Sequence, residues 1–211
     1  MNHNSSSSNC YMEKQLFQTE KISHFFHWLS KKVELTSEFK KNIDNISTYR
    51  CFEKGEKILE TGQALNHMYF VLTGCARSYH IDNKGKEHTM RFALKDWWIC
   101  DYKSIRNNER VSMSTEGLCH TEVLEFNIND IEELYRKYPQ LESSVRKSLE
   151  LHIIRLYDRI LNQLELTAKK RYQKFLLEYP EIDQLANNYH IASYLGITQQ
   201  SLSRLRSEKI L

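Results

Sequence analysis

Apolar residues recur along this chain with two different periods, and the switches between them mark its organisation. From about Tyr11 to Asn45 the spacing is helical, with Ile22, Phe25, Phe26 and Leu29 followed by Phe39 and Ile43. That pattern predicts amphipathic helix whose aromatic stripe is core. From Thr48 to Phe126 the apolar runs become short and β-rich: Tyr49–Phe52, Lys57–Leu59, Met68–Leu72, Ala76–Ile81, Glu87–Phe92, Trp97–Cys100 and Thr121–Phe126. Gly55, Gly62, Gly74 and Gly85 punctuate them, and Asp82-Asn83-Lys84-Gly85 has the chemistry of a hairpin turn. Many short strands at fairly regular spacing predict a sandwich or roll.

Helical spacing then returns. Asn129 is placed to cap a helix over Asp130–Tyr138, and Pro139 suits the first turn of a long helix running to about Leu164. The positions Val145, Leu149, Ile153, Leu156 and Ile160 form a stripe on it that continues to Leu164. A second set, Leu151, Ile154, Tyr157 and Leu161, widens the apolar surface. A helix apolar on most sides must be covered on most sides. The roll covers one side in this reading, and the stripe from Val145 to Ile160 is the expected homodimer interface; burial within a single monomer is the alternative. Thr167 starts a further helix through Glu178 with Lys169-Lys170-Arg171 in its first turn, and Tyr179-Pro180 ends it. A basic first turn opposes the helix dipole, which is tolerable beside a phosphate; a solvated charge run is the plainer explanation.

Two short helical patterns close the chain around a glycine. Ile191 and Leu195 share a face, Ala192 is small enough for a close helix crossing, and Gly196 can end the helix in a left-handed conformation. Thr198 is a plausible N-cap for the next helix. There Ser201, Leu202 and Leu205 fall on one side, while Gln199, Gln200, Ser203 and Arg204 fall on the other. Two amides, a hydroxyl and a guanidinium without a carboxylate are groups that read base edges. In a helix-turn-helix the first turns of the second helix touch the major groove. The expected base-reading set is therefore Gln199, Gln200, Ser203 and Arg204. Thr198, Ser201 and Arg206, with Lys169 and Arg171, are the expected phosphate contacts.

Composition narrows the classes. The 211 residues suffice for one large or two modest domains. A net charge of only +3 gives no global attraction to nucleic acid, so DNA affinity must come from local placement of cations. No stretch is long and apolar enough to span a membrane, and the polar, serine-rich start from Met1 to Asn9 is unlike a signal peptide. Five scattered cysteines without a Cys-x-x-Cys read as reduced thiols of a cytoplasmic protein, with no metal site and no cofactor. His67, His80, His88 and His120 lie in or near the roll, and a cupin-type metal-dependent enzyme, or a metal or small-molecule binder, with a non-functional DNA-binding domain is the alternative they raise. No His-x-His pair exists to place two ligands on one side of a strand.

The order of roll, long apolar helix, basic helix and helix-turn-helix resembles the CRP/FNR family, the cyclic-AMP receptor protein and fumarate–nitrate regulator group of bacterial transcription factors. The resemblance covers about Ile46 to Leu211. It rests most on Ile58-Leu59-Glu60-Thr61-Gly62, on Met68-Tyr69-Phe70-Val71-Leu72-Thr73-Gly74 with Asp82-Asn83-Lys84-Gly85-Lys86-Glu87, and on the helix-turn-helix. The last is similar to the variant common in Bacteroidetes members. The implied fold is α+β: an N-terminal cyclic-nucleotide-binding-like jelly roll, a dimerising helix, and a C-terminal helix-turn-helix domain of the winged-helix type lacking most of the wing. The implied divisions are a flexible segment over 1–20, a roll with flanking helices over 21–138, the dimerisation helix over 139–164 and the DNA-binding domain over 165–211.

The implied function is non-enzymatic: a dimeric regulator of double-stranded DNA at a pseudo-palindromic operator, with RNA polymerase as a protein partner. Arg204 matches the family's usual arginine, whereas Gln200 replaces its common glutamate, which implies a different half-site. The family's nucleotide binders carry Gly-Glu-Leu and, a little later, an arginine followed by a small residue. Cys100-Asp101-Tyr102 and Arg110-Val111-Ser112 stand there instead. Asp101, Ser104, Arg110 and Ser112 are the effector-pocket candidates, and the expected small-molecule effector, if there is one, is not cyclic AMP. An iron–sulfur sensor would need an N-terminal cysteine cluster, and only Cys10 lies there.

Overall fold

The computed structural model describes residues 21–208. Helices α1 (21–30) and α2 (Ser37–Ile46) lead into the roll. The helical stretch expected up to Asn45 is thus two helices; Thr36 breaks it by capping α2, accepting from the Phe39 N–H at 3.1 Å. The part of that expectation before Lys21, the segment 1–20 with Cys10, and the end of the chain from Lys209 lie outside the described residues.

Eight antiparallel strands follow: β1 (Ser47–Phe52), β2 (Lys57–Leu59), β3 (His67–Thr73), β4 (Ala76–Ile81), β5 (Glu87–Ala93), β6 (Trp98–Ile99), β7 (Ser114–Gly117) and β8 (Thr121–Asn127). They form two four-stranded sheets of order β1-β8-β3-β6 and β2-β7-β4-β5. Strand β3 shows why they face each other: Tyr69 and Val71 point between the sheets, while Met68, Phe70 and Leu72 point outward beneath the helices. Both faces are apolar because both are covered. Phe70 is fully buried, its ring 4.8 Å from Phe25 and 5.2 Å from Trp98.

Strand β7, Ser-Thr-Glu-Gly, has no apolar residue to announce it, yet it is buried along its length. Cross-strand charge explains this. Glu116 stands opposite Arg77 of β4 on one side and Lys57 of β2 on the other, accepting from Arg77 Nε at 2.8 Å and pairing with Lys57. Burial works against ionisation of Glu116, but hydrogen bonds from Lys57 and Arg77 outweigh it and hold the carboxyl below its usual range.

After a short helix α3 (Tyr102–Asn107), also unmarked in the sequence, and β8, the chain is helical: α4 (Ile128–Lys137), α5 (Pro139–Glu165), α6 (Ala168–Glu178), α7 (Pro180–Leu185), α8 (Asn188–Leu195) and α9 (Gln199–Ser207). The cap of α4 is Asn127, whose side chain accepts from the Asn129 N–H at 2.9 Å, so the expected cap at Asn129 moves two residues back. Pro139 opens α5 as expected. Tyr179-Pro180 ends α6 and opens α7 at once. The C-terminal helices share a core with the roll: Phe92, Cys75 and Leu118 pack with Phe175, Tyr179 and Tyr194.

Gly74 turns β3 into β4 at φ +77°, where a Cβ would collide with the His120 carbonyl oxygen; Gly85 has a similar φ of +78° in open space. Gly85→Ala is expected to cost about 1 kcal/mol of backbone strain, and Gly74→Ala about 2–4 kcal/mol because the collision adds to that strain. Urea unfolding of the two variants measures the difference.

Candidate nucleic-acid interface

Helices α8 and α9 form the expected helix-turn-helix. Gly196 ends α8 at φ +67°, its N–H donating to the carbonyls of Ala192 and Ser193, and the Ile197 N–H returns to the Ala192 carbonyl at 3.0 Å. Thr198 caps α9, accepting from the Ser201 N–H at 3.1 Å. Leu202 and Leu205 are buried, which fixes the rotation of α9. Gln199, Gln200, Ser203 and Arg204 are exposed on the other side. Among the described residues, the side chains of these four make no hydrogen bond or ion pair; the one side-chain bond that reaches them runs from the Ser207 hydroxyl to the Arg204 carbonyl at 2.8 Å.

The other cations nearby are differently placed. Arg206 donates to Tyr172 Oη at 3.2 Å, to the Asp183 carbonyl at 2.8 Å and to Asp183 Oδ1 at 2.6 Å, and it also bonds Asn188. Arg171 donates to the Leu195 carbonyl at 3.1 Å and the Leu166 carbonyl at 2.7 Å, so it serves the ends of α8 and α5. These two guanidinium groups, expected at phosphate, hold helices together within the protomer. Lys169 is exposed with only a 3.6 Å approach to Glu208, and the hydroxyls of Thr198 and Ser201 bond each other at 2.9 Å. The roll adds what the sequence pattern did not indicate. Lys86 and His88 line a cleft of about 420 Å³ together with Gln199 and Gln200. Lys86 follows a turn, where no periodicity marks a functional position.

The interface is held against the roll through β5. The Ser193 hydroxyl accepts from the Thr89 N–H at 2.9 Å and donates to the Glu87 carbonyl at 3.0 Å, and Tyr189 Oη accepts from the Glu87 N–H at 3.2 Å. Met90 is left unpaired by a register shift in the ladder of β4 with β5. Arg159 of α5 uses the carbonyls turned out there, bonding Met90 and donating to Thr89 at 3.1 Å. It also reaches the Tyr194 carbonyl of α8 at 2.9 Å. Its guanidinium lies 4.1 Å from the Tyr194 ring centroid.

Helix α5 divides its apolar residues differently from the expected stripe. Val145 is buried in the protomer's own core, Leu149 packs against that core and Leu156 is half-buried. Val145 and Leu149 therefore face the protomer's own core rather than the expected interface. Ile153 and Ile160 are about half exposed, as are Ile154, Tyr157 and Leu161, with Leu164 more so. These six cover a sector of about 120°. Within it Ile153, Tyr157, Ile160 and Leu164 alternate steps of four and three residues.

The proposed effector residues do meet, but they satisfy one another. Asp101 is 2 % exposed and caps α3 through the Ser104 N–H at 3.2 Å, while its other oxygen accepts from Ser112 N and Oγ, both at 2.7 Å. Ser104 Oγ donates to the Arg110 carbonyl at 2.9 Å, and the Arg110 guanidinium to the Gly62 carbonyl at 2.8 Å. The cluster is a loop staple rather than an open pocket, because its polar groups are already used. Burial opposes ionisation of Asp101, yet the bonds from Ser112 and Ser104 prevail and keep its carboxyl below the usual range. Of the roll histidines, His88 bonds Asp82 at 2.9 Å and His120 bonds Glu53 at 2.7 Å, each at a separate place.

Comparison with known proteins agrees with this architecture. The cyclic nucleotide-binding domain family matches residues 49–138. Electron transport regulator A of Shewanella oneidensis is 25 % identical over 77 % of this chain and 68 % of its own length. The fumarate and nitrate reduction regulatory protein of Yersinia pestis is 24 % identical over 77 % of this chain and 69 % of its own. The structure of FixK2 from Bradyrhizobium japonicum superposes with a TM-score of 0.65 at 23 % identity, covering 77 % of this chain and 84 % of that one.

Arg159→Met is expected to cost about 2–4 kcal/mol of stability, since it removes charge-assisted bonds that join three elements. Hydrogen exchange checks it: amides of β5 and α8 should exchange faster, with β3 and β8 unchanged. Asp101 has its folded pKa lowered, so its contribution is present above the ordinary aspartate range and lost as pH falls through the folded value. The stability gap between the protein and Asp101→Asn should therefore be largest at neutral pH and shrink below about pH 4, as read from urea midpoints across that range.

Proposed function

We propose, from the premise that this chain belongs to the CRP/FNR family of transcriptional regulators, that it is a homodimeric, sequence-specific DNA-binding regulator and not an enzyme. One observation carries the reading. Arg159, Arg171 and Arg206 are each bonded internally, whereas Arg204 stands exposed beside Gln199, Gln200 and Ser203 on the outer face of α9. A fold that uses its other local guanidinium groups for cohesion leaves this one for a ligand. Arg reads guanine and Gln adenine by bidentate bonds in the major groove. Lys169 and Lys86 are the cations placed to meet phosphate on either flank, and the capped start of α9 adds its dipole.

A second copy completes the site. The four-and-three alternation of Ile153, Tyr157, Ile160 and Leu164 is the repeat of a two-stranded coiled coil, and pairing along it removes the exposed apolar sector from water. Two-fold symmetry then presents two recognition helices to half-sites about 34 Å apart, and the operator is pseudo-palindromic. The closed Asp101 staple argues against cyclic nucleotide as effector. A DNA target places the protein in the cytoplasm.

Selection of duplex DNA from a random pool by the full-length protein tests the reading. A two-fold symmetric motif is expected, with Arg204→Ala losing about 1–3 kcal/mol at one base pair per half-site; equal loss on every sequence rules out base reading by Arg204. Ile160→Glu puts a carboxylate into the seam, and sedimentation should show a monomer with correspondingly weaker operator binding.

A further inference from the structure

A cavity of about 200 Å³ lies where α1, β5, β6 and α3 meet the middle of α5, on the helix-covered side of the roll rather than between its sheets. Its composition sets it apart from the neighbouring core. All three tryptophans of the chain, Trp28, Trp97 and Trp98, form its walls. Cations accompany them: the Arg155 guanidinium is 4.7 Å from the Trp97 ring centroid, and the Lys32 ammonium 4.0 Å from that of Trp28.

Arg91 is the unusual member. It is half-buried, and one terminal nitrogen donates to the Trp98 carbonyl at 2.7 Å. Its Nε is buried without a hydrogen-bond partner, and among the described residues no carboxylate forms an ion pair with it. Asp96, a carboxylate in the same lining, already pairs with His24 at 2.6 Å. A half-buried cation with a buried, unpartnered Nε and no counter-charge is costly, and a protein retains one where something else supplies the anion. Three further buried polar atoms in the lining side chains lack partners: Trp98 Nε1, Tyr102 Oη and His152 Nδ1. Burial, with Arg91 and Arg155 beside it, pushes His152 down to about 4, so its imidazole is neutral at physiological pH. Water would satisfy hydrogen bonds here but would leave the guanidinium charge uncompensated. A carboxylate does both.

We propose that this cavity binds a small planar aromatic carboxylate, the ring held among the tryptophans and the carboxylate on Arg91, with Arg155 and Lys32 at the mouth. The volume is below that of pockets for drug-sized ligands and suits a single ring system. The flat walls favour an aromatic body, and the surplus of positive charge selects an acid over its neutral analogue. One wall is α5, whose far side carries the exposed Ile153–Leu164 seam, so an occupant ties α1, the roll and that helix together.

Titration of the full-length protein with phenylacetate, followed by tryptophan fluorescence, reads the cavity directly because every tryptophan lines it. A saturable change is expected, with phenylacetamide binding at least tenfold more weakly. Arg91→Gln should remove most of that preference, and Arg155→Gln, at the rim, should reduce it by a smaller factor. No saturable change with either compound, equal binding of acid and amide, or an unaltered preference in Arg155→Gln and in folded Arg91→Gln overturns the proposal. The acid-against-amide comparison needs no variant, so it stands if Arg91→Gln does not fold. None of these readouts uses DNA, and a failed operator selection leaves them unaffected.

Discussion

The Arg159 guanidinium is the point on which the arrangement of this molecule turns. One side chain of α5 bonds the carbonyls of Thr89 and Met90 in the roll and of Tyr194 in the helix-turn-helix. Burial lowers its pKa, but an arginine stays charged at any ordinary pH, so the cation must be matched by acceptors. The register shift at Met90 supplies two of them, and the C-terminal turn of α8 supplies the third, where carbonyls lack helical partners. The long helix, the roll and the helix-turn-helix are joined through backbone carbonyls rather than through a carboxylate. Their relation therefore does not depend on the protonation of an acidic group.

Helix α5 then serves two surfaces at once. Its inward residues, Val145 and Leu149 among them, complete the core under Phe70 and Trp98, while Ile153, Tyr157, Ile160 and Leu164 remain outside. The cavity beside Arg91 lies between these roles, against α5 from Val145 to Arg155 and short of Arg159.

What could be read from the sequence follows from which forces leave a periodic trace. The strands with apolar alternation, the proline-led start of α5 and the Gly196-Thr198 corner were legible, since burial and caps select residue types at fixed intervals. Strand β7 was not, because Glu116 is buried by pairing with Arg77 and Lys57, and ion pairs across strands have no period in one chain. The exposed face of α9 could be drawn from helical geometry, but Arg171 and Arg206 could not be sorted from Arg204. All three are arginines near the same helices, and only tertiary contacts show which are spent on Leu195, Leu166 and Asp183. The stripe on α5 was seen whole and divided wrongly, because period alone does not say which of two apolar sectors faces the protomer.

The bonds from Ser193 and Tyr189 to Glu87 and Thr89 have one more consequence. Strand β5 ends its sheet, so its outward backbone groups offer a template on which another extended chain could pair. The hydroxyls of α8 occupy the groups at Glu87 and Thr89, and Arg159 takes the carbonyls at Thr89 and Met90. Helix α8 and the α5 arginine thereby act as an edge guard. Any movement that swung them away without replacing those bonds would leave a bare strand margin, so the same contacts that position the helix-turn-helix also protect the protein from edge-to-edge pairing.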